Sequence, residues 1–484
     1  MEVLRFTKAI FNRLFLPEGK RFVVVLNRDG NLLLHDCISA LAGLGVSVYK
    51  GSALQLRLVR ELHVSRRRDE YVLFVMREAF EIMDDIAEEC DFVNFQFRSM
   101  FNGYPWDLVK QLPFQKQAWL YEQNGFVDLN AIVRDQILED RDSAKDNKET
   151  AFSELKAEWG SICADIDFNR PTEWMKKAGE IVLSVIEIDK WEEFQREVED
   201  VNVEFLKFLK GGYMNIVSST CGTKYPRIVT HVLPFISKQV GKTALVVVDG
   251  MNWWQALLLV RSLEDKLNIR ARYDCIYSWL PSVTELSRQA IFRGDVPSVD
   301  YSQGPQNEAR LWKDFWTGRR VASFEQYYQH SGIISEELSI KRLGYVDVSL
   351  DEMMHASQDY RYLYANTKVW VDEDEVIENF KHLLDGGYKV FITTDHGNVD
   401  ATAYRKLDSR DSLGANLSLR HITLPKEADK RLFETEYAGH IEQVDVSSKT
   451  YYAKGKEAFI NSGKCVTHGG VHWLEVLIPF ITLE

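Results

Sequence analysis

The chain has 484 residues, of which 45% are hydrophobic and 27% charged, and its formal net charge is −13 at pH 7. This length exceeds what one ordinary core contains and predicts two or three domains, while the composition excludes a disordered chain. The acidic balance argues against a surface dedicated to coating DNA. It does not exclude nucleic acid as a substrate, because bound divalent metals can reverse the field inside a cleft.

The cysteines and the apolar segments predict the compartment. Six cysteines are scattered along the chain without a CxxC pair, which indicates reduced thiols. The first residues lack the pattern of a signal peptide, and no apolar run is long enough to span a bilayer. We therefore expect a soluble, cytoplasmic protein with no membrane partner.

Residues 1–104 alternate short apolar runs with helical patterns. Met1–Arg21 has the spacing of an amphipathic helix that is interrupted at Pro17-Glu18-Gly19. Strands are predicted at Arg21–Asn27, Val46–Tyr49 and Tyr71–Met76. The alternation indicates a small α/β domain over this segment.

Residues 105–240 have a mainly helical pattern. The charged run Asp140–Glu154 predicts a solvated helix or loop. Five tryptophans in this segment are expected to anchor helix packing: Trp106, Trp119, Trp159, Trp174 and Trp191. Thr220–Pro226 is the predicted break before a C-terminal domain at residues 241–484, where strands and helices alternate as in a parallel sheet.

Two predicted strands of the C-terminal domain end in acidic residues. Ala244–Val248 leads into Asp249, and Val390–Thr394 leads into the adjacent pair Asp395 and His396. Carboxylate and neutral imidazole are both good zinc ligands, and parallel sheets place active sites at the carboxyl ends of their strands. The alternative is that Asp395 and His396 only close a turn, but two buried strands that each deliver a carboxylate favour a site.

A third signal follows the predicted strand Tyr273–Ser278. Ser282 and Glu285 have the S-x-x-E spacing of a capping box, so a helix is expected to begin there. Thr284 would then lie in the first turn, beside free backbone N–H groups that favour a phosphoryl anion. The alternative is that Thr284 is only part of a well-capped helix start.

The histidines are concentrated late in the chain, with seven of the eleven after residue 350. Asp351 and His355 have i,i+4 spacing and can share one ion from one helical face, although His355 has the same spacing to Asp359. His468 precedes two glycines that permit close backbone approach, and His472 is its local competitor.

The order of these signals resembles the metal-ligand order of the alkaline phosphatase superfamily. The segments VVVDGM, LPSVTELSR, TTDHGN and THGG, the last leading into EVLIPF, resemble the PglZ domain within it. The resemblance covers roughly Gly241 to Glu484. It implies an α/β, alkaline-phosphatase-like fold, with a mostly parallel sheet flanked by helices, preceded by the small α/β layer and the helical region.

The resemblance also implies two divalent metal ions, zinc or manganese, and a role for each signal residue. One ion would be held by Asp249, Asp395, His396 and the hydroxyl of Thr284, and the other by Asp351, His355 and His468. Thr284 would be the nucleophile. No residue matches the arginine with which some members clamp phosphoryl oxygens; those considered are Arg288, Arg405, Lys406 and Arg410.

These implications predict a metal-dependent phosphohydrolase, a phosphodiesterase or nuclease whose substrate is a phosphodiester such as an oligonucleotide. Long PglZ proteins belong to bacterial phage-defence (BREX) systems, so defence proteins are the expected partners. The alternative from another class is a non-enzymatic, metal-stabilised PglZ scaffold in a defence complex. A phosphosugar mutase would need an inserted cap domain, and Arg293–Leu343 is too short to form one.

Overall fold

The computed structural model describes residues 2–66, 69–123, 127–298, 300–335, 339–407, 416–424, 426–445 and 449–483. The chain divides into two compact units, residues 1–147 and 148–484. This grouping differs from the three predicted segments, because the helical region at 105–240 contributes to both units. No helix in the described ranges combines the length and the apolar character that are needed to cross a lipid bilayer.

The first unit is built on a four-stranded parallel sheet with the order β2-β3-β1-β4. Its strands are β1 Phe22–Leu26, β2 Val46–Lys50, β3 Tyr71–Met76 and β4 Asp91–Asn94. Its helices are α1 Glu2–Leu14, α2 His35–Ala42, α3 Ala53–Arg66, α4 Asp84–Ala87, α5 Trp106–Val109 and α6 Phe114–Tyr121, with 3₁₀ turns at Asn31–Leu33 and Phe97–Met100. The predicted strands and the predicted first helix are confirmed.

Helices cover both faces of this sheet, because its central strands are apolar on both sides. On one face, Val23 and Val25 pack with α1 and with Cys37 and Leu41 of α2. On the other face, Val24 and Phe74 pack with Leu56 of α3 and Ile86 of α4. The connections between the strands therefore run over both faces of the sheet, as in a doubly wound fold.

The second unit begins within α7, Leu129–Cys163, which contains the predicted charged run. Its further helices are α8 Thr172–Glu187, α9 Trp191–Val217, α10 Val232–Ile236, α11 Trp253–Leu267, α12 Thr284–Arg293, α13 Pro305–Thr317, α14 Ser349–Ala356, α15 Tyr360–Trp370, α16 Asp374–Asp385, α17 Glu427–Glu436 and α18 Trp473–Val476, with 3₁₀ turns at Val229–His231 and Ser323–Glu325. Its strands are β5 Thr243–Val248, β6 Ala271–Tyr277, β7 Gln326–His330, β8 Arg342–Asp347, β9 Lys389–Thr393, β10 Val399–Ala403, β11 Asn416–Leu417, β12 His421–Thr423, β13 Ile441–Glu442, β14 Thr450–Ala453, β15 Glu457–Ala458, β16 Lys464–Thr467 and β17 Leu477–Leu483.

The main sheet of the second unit has the order β6-β17-β9-β5-β8-β7. Strands β5, β7, β8 and β9 are parallel, and β17 is antiparallel to its two neighbours β6 and β9. Strand β5 is buried along its whole length, as its unbroken apolar sequence predicts for a central strand. The predicted mostly parallel sheet is confirmed.

Helices from the region before this sheet belong to the same core. Trp473 at the start of α18 packs against Trp159 and Trp174, with ring centroids 6.1 and 5.2 Å away, and its Nε1 donates to the carbonyl of Val198 in α9. Trp191 Nε1 donates to Asp400 on β10. The predicted packing role is confirmed for Trp159, Trp174 and Trp191 in the core of the second unit, and Trp106 and Trp119 pack against the core of the first unit.

Two small sheets follow β9 along the chain. Strands β15, β10 and β16 form one, and β11, β12, β14 and β13 form an antiparallel second. Strand β16 ends at Thr467, so the first sheet delivers His468 to the same region as the carboxyl ends of the main sheet. All six cysteines are free thiols, as expected.

Candidate metal centre

Three acidic residues follow three neighbouring strands of the main sheet. Asp249 follows β5, Asp395 follows β9 on one side of it, and Asp351 lies in the helix that follows β8 on the other side. Because parallel neighbours end at the same edge, their carboxylates meet. Gly250 has a φ of 69°, which lets the chain turn sharply away after Asp249, and its backbone N–H donates to Asp395 Oδ1 at 3.3 Å.

The ligand-type atoms form two groups that share Asp351. In each group the atoms lie within 4.8 Å of one another, and the groups are Asp351, His355 and His468, and Asp249, Asp351 and His396. Asp395 adjoins the second group, since its Oδ2 lies 3.8 Å from His396 Nε2. The six carboxylate and imidazole side chains that the sequence proposed therefore lie close together.

The two central imidazoles are oriented by their Nδ1 atoms. His396 Nδ1 lies 3.0 Å from the carbonyl of Gly397, and His468 Nδ1 lies 2.9 Å from the carbonyl of Ser282. A carbonyl accepts only, so each Nδ1 carries a proton, and in the neutral form of the ring Nε2 has the lone pair that can bind a metal ion. The two rings stack in parallel, with centroids 3.8 Å apart. This backbone orientation is the usual second partner of a metal-bound histidine.

Burial favours the neutral form of two imidazoles, and burial together with charge repulsion opposes ionisation of Asp249. Burial lowers the pKa of His396 to about 4, and burial also lowers the pKa of His355. Burial, followed by the charge of Asp395, raises the pKa of Asp249 well above its usual range. A divalent cation would offset the repulsion that is responsible for part of this shift.

The fit of the centre to metal ions can be tested on its unpartnered atoms. Asp249 Oδ1, Asp351 Oδ1 and Asp395 Oδ2 are buried, and none has a hydrogen-bond partner among the described residues. Buried acceptors of this kind are costly unless something satisfies them. Three such oxygens beside neutral imidazole nitrogens form a donor set suited to zinc or manganese, so the residues fit bound divalent ions.

Thr284 is the first residue of α12, and its Oγ1 lies 3.0 Å from His396 Nε2. The predicted helix start is confirmed, but the predicted capping box is wrong. The N-cap is Val283, and the described side chains form no cap hydrogen bond there. Ser282 Oγ instead donates to the carbonyl of Gly470 at 2.9 Å and accepts from the N–H of Gly469 at 3.2 Å.

Ser282 thereby joins the start of the Thr284 helix to the loop that carries His468. The Ser282 side chain is fully buried, so its hydroxyl cannot bond to water and must find a partner within the protein. The backbone groups of Gly469 and Gly470 provide that partner instead of the helix N-terminus. Gly469 has a φ of 105°, and a Cβ there would collide with Ser418 Oγ, so this close approach needs glycine.

The structure separates the alternatives that the sequence left open. His355 Nε2 lies 3.5 Å from Asp351 Oδ2, whereas Asp359 caps α15 through the N–H groups that follow it. His472 is turned away from the centre: its Nε2 lies 3.2 Å from Glu199 Oε1 on α9, and its Nδ1 accepts from Leu474.

Of the cations considered for a phosphoryl clamp, Arg288 pairs with a carboxylate of the centre, Arg405 contacts an aromatic ring, and Arg410 lies outside the described residues. Arg288 Nη1 donates to Asp249 Oδ2 at 2.7 Å, and its Nε lies 2.7 Å from Glu308 Oε1. Arg405 lies over the ring of Tyr437, and the backbone carbonyl of Lys406 accepts from the Tyr437 hydroxyl. Arg410 lies outside the described residues.

The sequence did not reveal a fully buried ion pair behind the His468 loop. Glu475 accepts from Arg420 Nε at 3.0 Å and from the N–H groups of Gly470 and His472 at 3.0 and 3.1 Å. Both side chains have no exposed area. No local signal could have found the pair, because its members are 55 residues apart.

Solved structures that align with half of the chain were found at low identity. Murine ectonucleotide pyrophosphatase/phosphodiesterase 5 aligns at 12% identity and a TM-score of 0.37, over 50% of this chain and 87% of that one. Phosphonoacetate hydrolase from Sinorhizobium meliloti 1021, in complex with phosphonoformate, aligns at 12% identity and a TM-score of 0.35, over 50% and 89%. No curated protein sequence matches the chain.

The family comparison covers the part of the chain that carries the centre. Residues 228–483, more than half of the chain, match the family described as the BREX system PglZ alkaline phosphatase-like domain. The match includes every strand of the main sheet and all of the residues of the centre. The resemblance that the sequence suggested is confirmed, and the chain belongs to the PglZ family.

Proposed function

We propose that the chain is a metal-dependent phosphodiesterase that uses Thr284 as a covalent nucleophile and cleaves oligonucleotides. The observation that carries the proposal is the hydroxyl of Thr284, which lies 3.0 Å from His396 Nε2 at the edge where three carboxylates and three imidazoles converge. A divalent ion bound beside this threonine would lower the pKa of its hydroxyl.

The proposed ligand sets assign the shared Asp351 to the first group and add Asp395 and Thr284 to the second. Asp249, Asp395, His396 and the Thr284 hydroxyl would hold one divalent ion, and Asp351, His355 and His468 would hold the other. Bound ions would supply Lewis-acid stabilisation of the attacking and leaving oxygens. The unpartnered oxygens of the three carboxylates support this assignment.

In the proposed reaction, Thr284 Oγ forms a bond to phosphorus as the leaving alcohol departs, which gives a phosphothreonyl ester. Water then displaces the threonine oxygen. With its Oγ1 3.0 Å from His396 Nε2, Thr284 would lie within reach of the ion that His396 would help to hold. The first turn of α12 adds backbone N–H groups without intrahelical partners, which can donate to the phosphoryl oxygens.

A diester is the favoured substrate because of the charge that the site can accept. A phosphomonoester carries a second negative charge that needs a further cation. Arg288 lies on the same helix as Thr284, but Asp249 and Glu308 already engage its guanidinium. The family to which the chain belongs supports the same preference.

The test compares hydrolysis by the zinc- or manganese-loaded protein of bis-p-nitrophenyl phosphate, p-nitrophenyl phosphate and an end-labelled oligonucleotide. Thr284→Ala should lower diester cleavage by about 10³-fold or more, and Thr284→Ser should retain part of the activity. Acid quenching during cleavage of bis-p-nitrophenyl phosphate, followed by mass spectrometry, should find a p-nitrophenyl phosphoryl group on Thr284. Thr435→Ala is the matched control, because Thr435 is an exposed helical threonine bonded only to a backbone carbonyl in the described structure.

Two results would contradict the proposal. Wild-type rates in Thr284→Ala would reduce Thr284 to a residue of the helix start. Full metal content without cleavage of any diester would favour the scaffold alternative.

We further propose that the protein acts in a BREX-type phage-defence system with protein partners, on the basis of its family. Expression of the complete system with Thr284→Ala in place of the wild-type chain should then raise phage plating efficiency. Unchanged protection would separate the activity from defence.

A further inference from the structure

The carboxyl edge of the first unit's sheet has the topology of a ligand crevice. Strands β1 and β3 are neighbours, with Leu26 beside Met76. The chain leaves β1 for α2 on one face of the sheet and leaves β3 for α4 on the opposite face. Two loops that diverge from adjacent parallel strands open a crevice between them, and open α/β sheets bind ligands at this point.

The crevice is present, and three cations line it. Its volume is about 880 Å³, which lies within the range of small-molecule sites. Lys50 ends β2, Arg77 follows β3 and Arg28 follows β1 after one residue. The three strands are adjacent, so their ends are about 4.8 Å apart from strand to strand, and the long cationic side chains can reach one ligand.

These three cations have no carboxylate partner among the described residues. By contrast, two arginines of α3 in the same unit are paired: Arg57 with Asp85, and Arg60 with Glu89. The carboxylate of Asp29, beside Arg28, accepts hydrogen bonds from the Asn27 side chain and from the N–H groups of Asn31 and Phe97. One carboxylate, that of Glu78, also lines the crevice.

The crevice also has a close backbone approach and an apolar wall. Gly30 has a φ of 71°, and a Cβ there would lie 3.3 Å from Arg77 Nε, so glycine lets the guanidinium lie against the loop. Leu33 and Phe80 are half-buried beside the cations. A phosphate-bearing ligand with a flat ring would match both parts.

We propose that this crevice binds a nucleoside diphosphate, with its phosphates on Arg28, Lys50 and Arg77 and its base against Phe80 and Leu33. The excess of cations over carboxylates selects a multiply charged anion, and arginine is suited to paired phosphate oxygens. The site is separate from the metal centre, since all of its residues belong to the first unit.

The test measures binding of N-methylanthraniloyl-ADP to the full chain by fluorescence anisotropy. Excess chelator and the Asp395→Ala background remove binding at the metal centre. Arg28→Ala and Arg77→Ala should each raise the Kd about tenfold or more, the loss expected for a charge-assisted hydrogen bond. Arg57→Ala is the matched control, because this exposed arginine of α3 pairs with Asp85 outside the crevice. ADP should displace the probe, and adenosine at the same concentration should not.

Each other outcome overturns the proposal. No saturable binding by the wild-type chain, or an unchanged Kd in both crevice variants, removes the site. Loss of binding in Asp395→Ala assigns the nucleotide to the second unit. If inorganic phosphate displaces the probe as effectively as ADP does, the crevice binds anions without recognising a nucleoside.

Discussion

Replacement of Arg420 by methionine tests whether the buried pair behind the His468 loop holds that loop in place. Methionine keeps much of the length of arginine and removes its charge and donors. The Glu475 carboxylate would keep the N–H groups of Gly470 and His472 but lose its only ion-pair partner among the described residues.

The expected cost follows from burial and from the bonds that are lost. Removal of one partner from a buried ion pair costs about 3–5 kcal/mol. The carbonyls of Gly455 and Glu457, which also accept from Arg420, would lose donors worth about 1 kcal/mol each. Because these terms overlap, we expect Arg420→Met to lower the free energy of unfolding of the second unit by about 3–5 kcal/mol.

Urea unfolding followed by tryptophan fluorescence is the assay, because only Trp106 and Trp119 of the 12 tryptophans precede residue 148. Arg361→Met is the control: its guanidinium is 67% exposed with carboxylates 3.7 Å away, so a change of about 1 kcal/mol or less is expected. Equilibrium dialysis should also show weaker zinc binding in Arg420→Met. A loss below about 1 kcal/mol would refute the reasoning, as would unchanged zinc affinity.

Further predictions concern the centre and one buried acid. His468→Ala should lower the zinc content of the protein, measured by elemental analysis. His472→Ala should keep the zinc content but lower the stability measured by thermal unfolding. The reverse pattern of metal loss would contradict the assignment. Ser282→Ala should weaken zinc binding by releasing the His468 loop, and an unchanged affinity by calorimetry would count against that link. Burial raises the pKa of Asp274 from the usual 3.8 to about 6, so its carboxylate destabilises the folded chain increasingly as pH rises from about 4 to about 6. The free energy of unfolding of Asp274→Asn should therefore exceed that of the wild type by about 3 kcal/mol at pH 7 and match it below about pH 4. An advantage that is constant with pH would refute this cause.

Strand positions were predictable because central parallel strands need apolar residues on both faces. Ala244–Val248 and Val390–Thr394 therefore appear as unbroken apolar runs, and each lies within one residue of the observed strand. The limits of the compact units were not predictable in this way. Contacts between α9 and α18 join residues more than 200 positions apart, and no local pattern encodes them.

The components of the site were predictable, but its supports were not. Asp395 and His396 follow a strand and Asp351 and His355 share a helix face, so local periodicity was sufficient to bring each pair together. Ser282 was assigned to a cap because the S-x-x-E pattern is local. Its hydroxyl is instead used by a loop 188 residues away, where burial makes the tertiary bond preferable.

The packing of Trp473 has a consequence for how this protein can be divided. Similarity to the family begins at residue 228, yet the indole of Trp473 contacts Trp159 and Trp174 and donates to Val198, all of which precede that residue. A fragment cut where the similarity begins would expose this indole next to the loop of His468. Any homologue that has only the matched region must cover the same position with a different segment or with a partner. The limit of detectable similarity is therefore not a limit at which the chain can be truncated.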